Sequence, residues 1–174
     1  YSLAGVEAKL ISVQFESQMD VEDIIGTSHQ ATGSVTLNDK AAAFKLEVPV
    51  ASLRTGIDLR DEHLRSDMWL DAAKFPNISF AGTSIIKSGT SYQVSGTFTM
   101  RGKSKPVTVT ADVREIAAAD AKKLGLGDSK WLRIRSTFTV QLSDFGIKIP
   151  GMTASKVNNT WTVKVSLFAK ASAK

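Results

Sequence analysis

Cysteine is absent from the chain, which rules out disulfides, thiolate nucleophiles and zinc sites of the cysteine type. Histidine is almost absent. His29 and His63 are the only two, and no carboxylate stands at a recognised ligand spacing from either, so no metal site is expected. No apolar run approaches the roughly 18 residues that a membrane-crossing helix needs. Gly125-Leu126-Gly127-Asp128 lacks both the third glycine and the Gly-Lys-Ser/Thr run of a nucleotide loop. No Gly-x-Ser-x-Gly elbow occurs. The acids from Asp58 to Asp71 lack the central glycine and terminal glutamate of a calcium loop.

What is present is an ordinary globular composition. The 174 residues are 43% hydrophobic and 22% charged, which suits one domain over residues 1–174 with a core of its own. A net charge of +5 favours anionic partners only weakly. The chain begins at Tyr1 rather than methionine, which fits a leader removed on export.

Periodicity carries most of the structural information. Ile11, Val13 and Phe15 alternate with polar residues, the period-two mark of a half-buried strand. The same rhythm runs through Gly33, Val35, Leu37, and through Phe44, Leu46, Val48, Val50. It returns in Ile78, Phe80, Gly82; in Tyr92, Val94, Gly96, Phe98, Met100; and in Val107, Val109, Ala111, Val113. Late in the chain come Leu132, Ile134, Phe138, Val140, Leu142, and then Trp161, Val163, Val165, Leu167. Turn signals at Asn38-Asp39, Ser88-Gly89 and Arg101-Gly102 separate several of these runs. Eight short strands with one apolar face each predict an all-β chain, most simply an eight-stranded antiparallel β-barrel, because closure removes the exposed edges, with a β-sandwich as the main competitor. Helices are expected at about 58–73 and 115–124, one or two short pieces covering the barrel rim. Small residues fall on the inward faces, namely Gly33, Gly82, Gly96, Ala111 and Ser136. Two readings fit them: bends at barrel corners, or an interior left open. On the second reading, leucine at position 96 enters empty space and shortens any ligand chain.

The densest charge lies in DEHLRSDMWLDAAKFPNISF, Asp61 to Phe80. His63 beside Asp61, Glu62 or Asp67 has the composition of an acid–base pair, but alternating charges on a short helix are more simply a solvated face. On that reading Leu64, Trp69, Leu70 and Phe75 plug one barrel end, and the charges keep the plug soluble. Asp61 and His63 are then expected to matter little to ligand binding. A basic cluster, Arg101, Lys103 and Lys105, falls at a hairpin turn, where it suits either solubility or a transient contact with a phosphate headgroup or membrane surface.

Three blocks of residues carry a family resemblance. The first is His63-Leu64-Arg65-Ser66-Asp67, then Trp69-Leu70-Asp71, Lys74-Phe75-Pro76, Ile78 and Phe80. The second is Gly96, Phe98-Thr99-Met100-Arg101-Gly102, Ser104-Lys105-Pro106-Val107 and Val109; the third is Phe138, Val140 and Ser143-Asp144-Phe145-Gly146. Together they resemble the YceI-like family over roughly Ile11 to Ala169. The resemblance implies a lipocalin-like barrel with a long apolar cavity, a periplasmic or secreted bacterial protein, and a polyisoprenoid ligand such as an isoprenoid quinone or prenyl phosphate. It implies no cofactor beyond that bound lipid, no catalysis and no nucleic acid, and leaves a homodimer open. The candidate cavity-lining residues are then Val13 and Phe15; His29 and Val35; Phe44, Leu46 and Val48; Trp69; Ile78 and Phe80; Val94, Gly96, Phe98 and Met100; Leu132, Ile134, Phe138 and Val140; and Trp161 with Val163. Among these His29 is read as a structural histidine or a headgroup contact, since it shares alternation with Ala31 and Gly33. Two further classes stay open on the residues alone: a nucleic-acid-binding barrel using Arg133 and Arg135, against which the lack of interleaved aromatics counts, and a hydrolase using His63, beside which no nucleophile stands.

Overall fold

The computed structural model describes residues 1–38 and 41–172. Among these residues nine strands form one antiparallel sheet: β1 (Ile11–Gln18), β2 (Asp23–Ser28), β3 (Thr32–Asn38), β4 (Ala41–Pro49), β5 (Asn77–Ser88), β6 (Ser91–Met100), β7 (Lys103–Ile116), β8 (Trp131–Gln141) and β9 (Thr160–Lys170). Their order is β2-β1-β9-β8-β7-β6-β5-β4-β3. The fold is all-β and curled, as the alternation predicts, with one more strand than expected. The turn expected at Asn38-Asp39 falls at residues 39–40, outside the described residues.

The extra strand is β2, and its pattern explains why it is silent in the sequence. Its inward positions are Ile24, Gly26 and Ser28, so a single large apolar residue marks the buried face. Only residues 29–31 separate β2 from β3, and both run in the same sense, because β2 is antiparallel to β1 and β3 to β4. The pair is one stretch of chain that leaves β1 to join β4. A buried hydroxyl chain fixes the crossing: Ser28 Oγ lies 2.6 Å from Ser52 Oγ, which donates to the Pro49 carbonyl at 2.6 Å.

The two ends of this sheet are not left bare. Ser2 bridges to Ser34 on β3 and to Lys170 on β9. The Leu3 N–H donates to the Gly33 carbonyl, and the Val35 N–H to that of Tyr1. Nearer the other rim, Thr27 on β2 exchanges two backbone bonds with Arg54. An unpaired strand edge invites pairing with another chain, and these bonds occupy much of it.

Helix α1 (Asp58–Arg65) and helix α2 (Ala118–Lys123) are shorter than the sequence suggests. Ser66 ends α1, with its backbone N–H and its hydroxyl both donating to the His63 carbonyl. Glu115 and Ile116 belong to β7, paired with Leu132 and Trp131, so α2 starts later than expected. Asp58 and Asp61 in the first turn of α1 complement its positive end.

All the connections that follow β4, β6 and β8 gather with α1 at one rim. Arg101 ties them together, donating through Nη1 to the Gly146 carbonyl (2.9 Å) and through Nη2 to that of Asp67 (2.7 Å). Phe145, from a 3-10 turn at Leu142–Phe145, packs edge-on to Phe98 at 5.4 Å. This rim is the closed end of the fold.

Candidate functional site

Inside the curled sheet lies a cavity of about 100 Å³, within roughly 1150 Å³ of unoccupied space that includes the solvent at its open mouth. It is bounded by inward residues of every strand except β2. None of the lining residues is Asp, Glu, Lys, Arg or His; the polar ones are Gln14, Ser79, Tyr92 and Ser136. The Ser136 hydroxyl is already committed, donating to the Thr110 carbonyl at 2.7 Å. Such a wall offers dispersion contacts and exclusion of water, and no acid or base to act on what it holds.

The cavity has a direction. At the α1 rim it ends on Phe15 (6% exposed), Leu53 (4%), Met100 (2%) and Trp161 (4%). At the opposite end stand Leu37 (37%) and the half-buried Ile85, Tyr92 and Val113. The opening is therefore the end away from α1.

Most of the candidate residues converge on this cavity. Val13, Phe15, Val35, Phe44, Leu46, Val48, Ile78, Phe80, Val94, Phe98, Met100, Ile134, Phe138, Val140, Trp161 and Val163 all line it. Four do not. His29 is exposed, with Nδ1 2.6 Å from the Ile11 carbonyl, because the break between β2 and β3 ends the alternation that would have turned it inward. Trp69 lines a separate groove beneath α1. Leu132 is buried but lies outside the cavity. Gly96 is also outside the lining: a Cβ built there would stand 2.3 Å from the Ala81 carbonyl oxygen and 2.6 Å from the Gly82 Cα. The expectation that leucine at position 96 enters open space is thus overturned: the position is closed by the backbone of the neighbouring strand.

Several lining residues were not among the candidates. Ala111, Val113, Val109, Tyr92, Leu37, Ser136 and Val165 lay on the same alternating faces and were available to the pattern. Ile85 was not, because the register shifts between Gly82 and Ser84. Leu53 comes from a non-repetitive loop.

The charged stretch resolves into parts. Leu64 and Leu70 are buried at 7% and 1% and close the rim. Asp61 is not on the solvated face: it is buried, and one of its carboxylate oxygens accepts from the Thr55 N–H (2.8 Å) and hydroxyl (2.6 Å). His63 is exposed. Asp61→Ala is accordingly expected to lower stability by about 1–3 kcal/mol, since it strands a Thr55 donor, while His63→Gln leaves the melting temperature unchanged. Paired thermal melts check both. The basic cluster is likewise engaged: besides Arg101, Lys105 lies 3.9 Å from Asp144, and both sit at the closed rim. The Arg133 guanidinium covers the Phe168 ring at 5.2 Å. On the outer wall, the hydrogen bond and charge of Lys164 hold the Glu16 carboxyl below the usual carboxylate range.

A curled antiparallel sheet around an apolar, one-mouthed cavity defines a lipocalin-like protein. The sequence matches the YceI-like domain over residues 6–169, so the chain belongs to the YceI-like family. It is 37% identical over 131 residues to a UPF0312 protein of Enterobacter sp., covering 71% of this chain and 63% of that one. To the protein YceI of Escherichia coli O6:H1 it is 35% identical over 132 residues, covering 72% of this chain and 64% of that one. The match thus spans somewhat under two thirds of these relatives' length. Among solved structures, Burkholderia cenocepacia BcnA superposes with a TM-score of 0.80 at 21% identity, covering 94% of this chain and 99% of that one. A polyisoprenoid-binding domain from Saccharophagus degradans superposes with a TM-score of 0.69 at 16% identity, covering 93% and 94%.

Proposed function

We propose that this protein is a non-catalytic carrier that holds a long isoprenoid, or a similar long-chain amphiphile, in the barrel cavity. The observation that carries the reading is the uncharged, largely apolar wall from Phe15 and Trp161 to Leu37 and Tyr92, open at one end. Each buried methylene contributes about 0.8 kcal/mol, so a chain that fills the tube gains affinity without polar contacts. The polyisoprenoid-binding description of the Saccharophagus degradans domain supports the ligand class. The reading extends to an exported protein of the periplasm or cell exterior that meets membranes transiently to load and unload; an isoprenoid quinone or a prenyl phosphate would suit the tube. Organic extraction of protein purified without detergent, followed by mass spectrometry, tests it. A prenyl lipid in near-stoichiometric amount is the expected result. Co-purified oligonucleotide, or a delipidated protein that takes up no long-chain isoprenoid on titration, would overturn it.

A further inference from the structure

Two rings separate two pockets. Phe15 and Trp161 border both the barrel cavity and the groove beneath α1. They lie nearly parallel, with centroids 4.2 Å apart and 12° between their planes. The Phe15 ring also rests over Gly26, where a Cβ would fall 2.1 Å from its Cε1. A ring packed on bare backbone needs no neighbouring side chain to retreat before it moves.

Trp161 Nε1 is buried and has no hydrogen-bond partner among the described residues. Buried polar groups are nearly always paired, and an exception calls for an explanation. Trp131 Nε1 is in the same condition, but Trp131 borders neither pocket. Trp161 stands at a junction, where a ligand atom can supply the missing acceptor.

The groove differs from the cavity in chemistry. It has a volume of about 260 Å³ and is bordered by Glu22, Arg60, His63 and Lys156 as well as by apolar residues. Arg60 holds Glu22 at 2.8 Å, so that pair is self-neutralising, while Lys156 and His63 are exposed at its border. The cavity, by contrast, has no cation in its lining. A charged end group cannot be left in an apolar tube without partners.

We propose that the groove is the second compartment of one ligand site, a proposal that rests on the lipid-binding reading above. The chain occupies the barrel, the Phe15–Trp161 stack parts around it, and an anionic, phosphate-like end group lies in the groove within reach of Trp161 Nε1 and Lys156. No bond is made or broken.

Calorimetric titration of the delipidated protein with geranylgeranyl phosphate and with squalene, both delivered from cyclodextrin, tests it. Squalene has a long isoprenoid chain and no acceptor. Trp161→Phe keeps a ring in the stack and removes the N–H; the affinity for geranylgeranyl phosphate is expected to fall about tenfold, a typical loss for a hydrogen bond to a charged group, with squalene unchanged. Trp131→Phe is expected to change neither. Lys156→Ala, at an exposed position, is expected to weaken the phosphate several-fold at low salt and to spare squalene, which keeps the question open to test should the indole variant misfold. Wild-type affinity for the phosphate in both Trp161→Phe and Lys156→Ala would place the end group elsewhere while leaving the lipid reading intact. Failure of the wild-type protein to bind either probe would sink that reading and this one together.

Discussion

Gly96→Ala, the smallest substitution available, is expected to destabilise the protein by roughly 3 kcal/mol. Gly96 on β6 pairs with Gly82 on β5, next to the point where the register shifts. Here the two backbones approach so closely that a methyl group would stand 2.3 Å from the Ala81 carbonyl oxygen. The obstacle is backbone on the partner strand, so no side chain can swing aside. Relief requires the strands to separate and the sheet to uncurl locally. Overpacking of a well-packed interior typically costs 1–3 kcal/mol and occasionally more, and a contact with backbone belongs at the upper end of that range. Chemical denaturation of the wild-type and Gly96→Ala proteins measures it. A change under about 0.5 kcal/mol would show that the β5–β6 approach relaxes freely and is not what curls the sheet.

Ala111→Leu is expected to do the opposite, leaving the fold nearly intact while abolishing binding of a long chain. Ala111 lies midway along the cavity wall, with Tyr92 and Ser136 as its partners on either side. Ala111 lines the cavity, so a larger side chain there extends into the space the wall encloses. The room it takes is the room the proposed ligand needs. A chain stopped at that level loses the methylenes beyond it, at about 0.8 kcal/mol each; losing three or four means a drop of roughly fiftyfold to two-hundredfold. Titration of delipidated protein with a long isoprenoid, alongside a thermal melt, decides it. A folded Ala111→Leu protein that binds the long chain as tightly as wild type would place the ligand outside the cavity.

These two substitutions also mark how far the sequence could be read. Alternation identified the inward faces of β1 and β3 to β9 because apolar residues repeat there at every second position. It could not separate Gly96 from Ala111. Both are small and both face inward, yet one is small because a strand presses on it and the other because nothing does. That difference lies in the distance between β5 and β6, which no single strand encodes. The β2 strand was hidden for a related reason: Gly26 yields its volume to the Phe15 ring, so the sequence shows a gap where the structure has a contact. His29 was misplaced because the alternation was carried through a three-residue crossing that resets it. Asp61 lay within a run of charges that reads as solvent-facing, and only the backbone path of Thr55 shows that its carboxylate is sequestered. Ile85 was lost to the register shift and Leu53 to a loop, neither of which leaves a periodic trace.

The committed hydroxyl of Ser136 and the uncharged, largely apolar wall have a consequence for selectivity. A surface with so few directional bonds to offer distinguishes one aliphatic chain from another mainly by length. It registers how much chain is present. Affinity should climb roughly fourfold for each added methylene until the terminus reaches the mouth at Leu37, and should then level off. The barrel is a ruler, graduated in carbon atoms, that begins at the α1 rim.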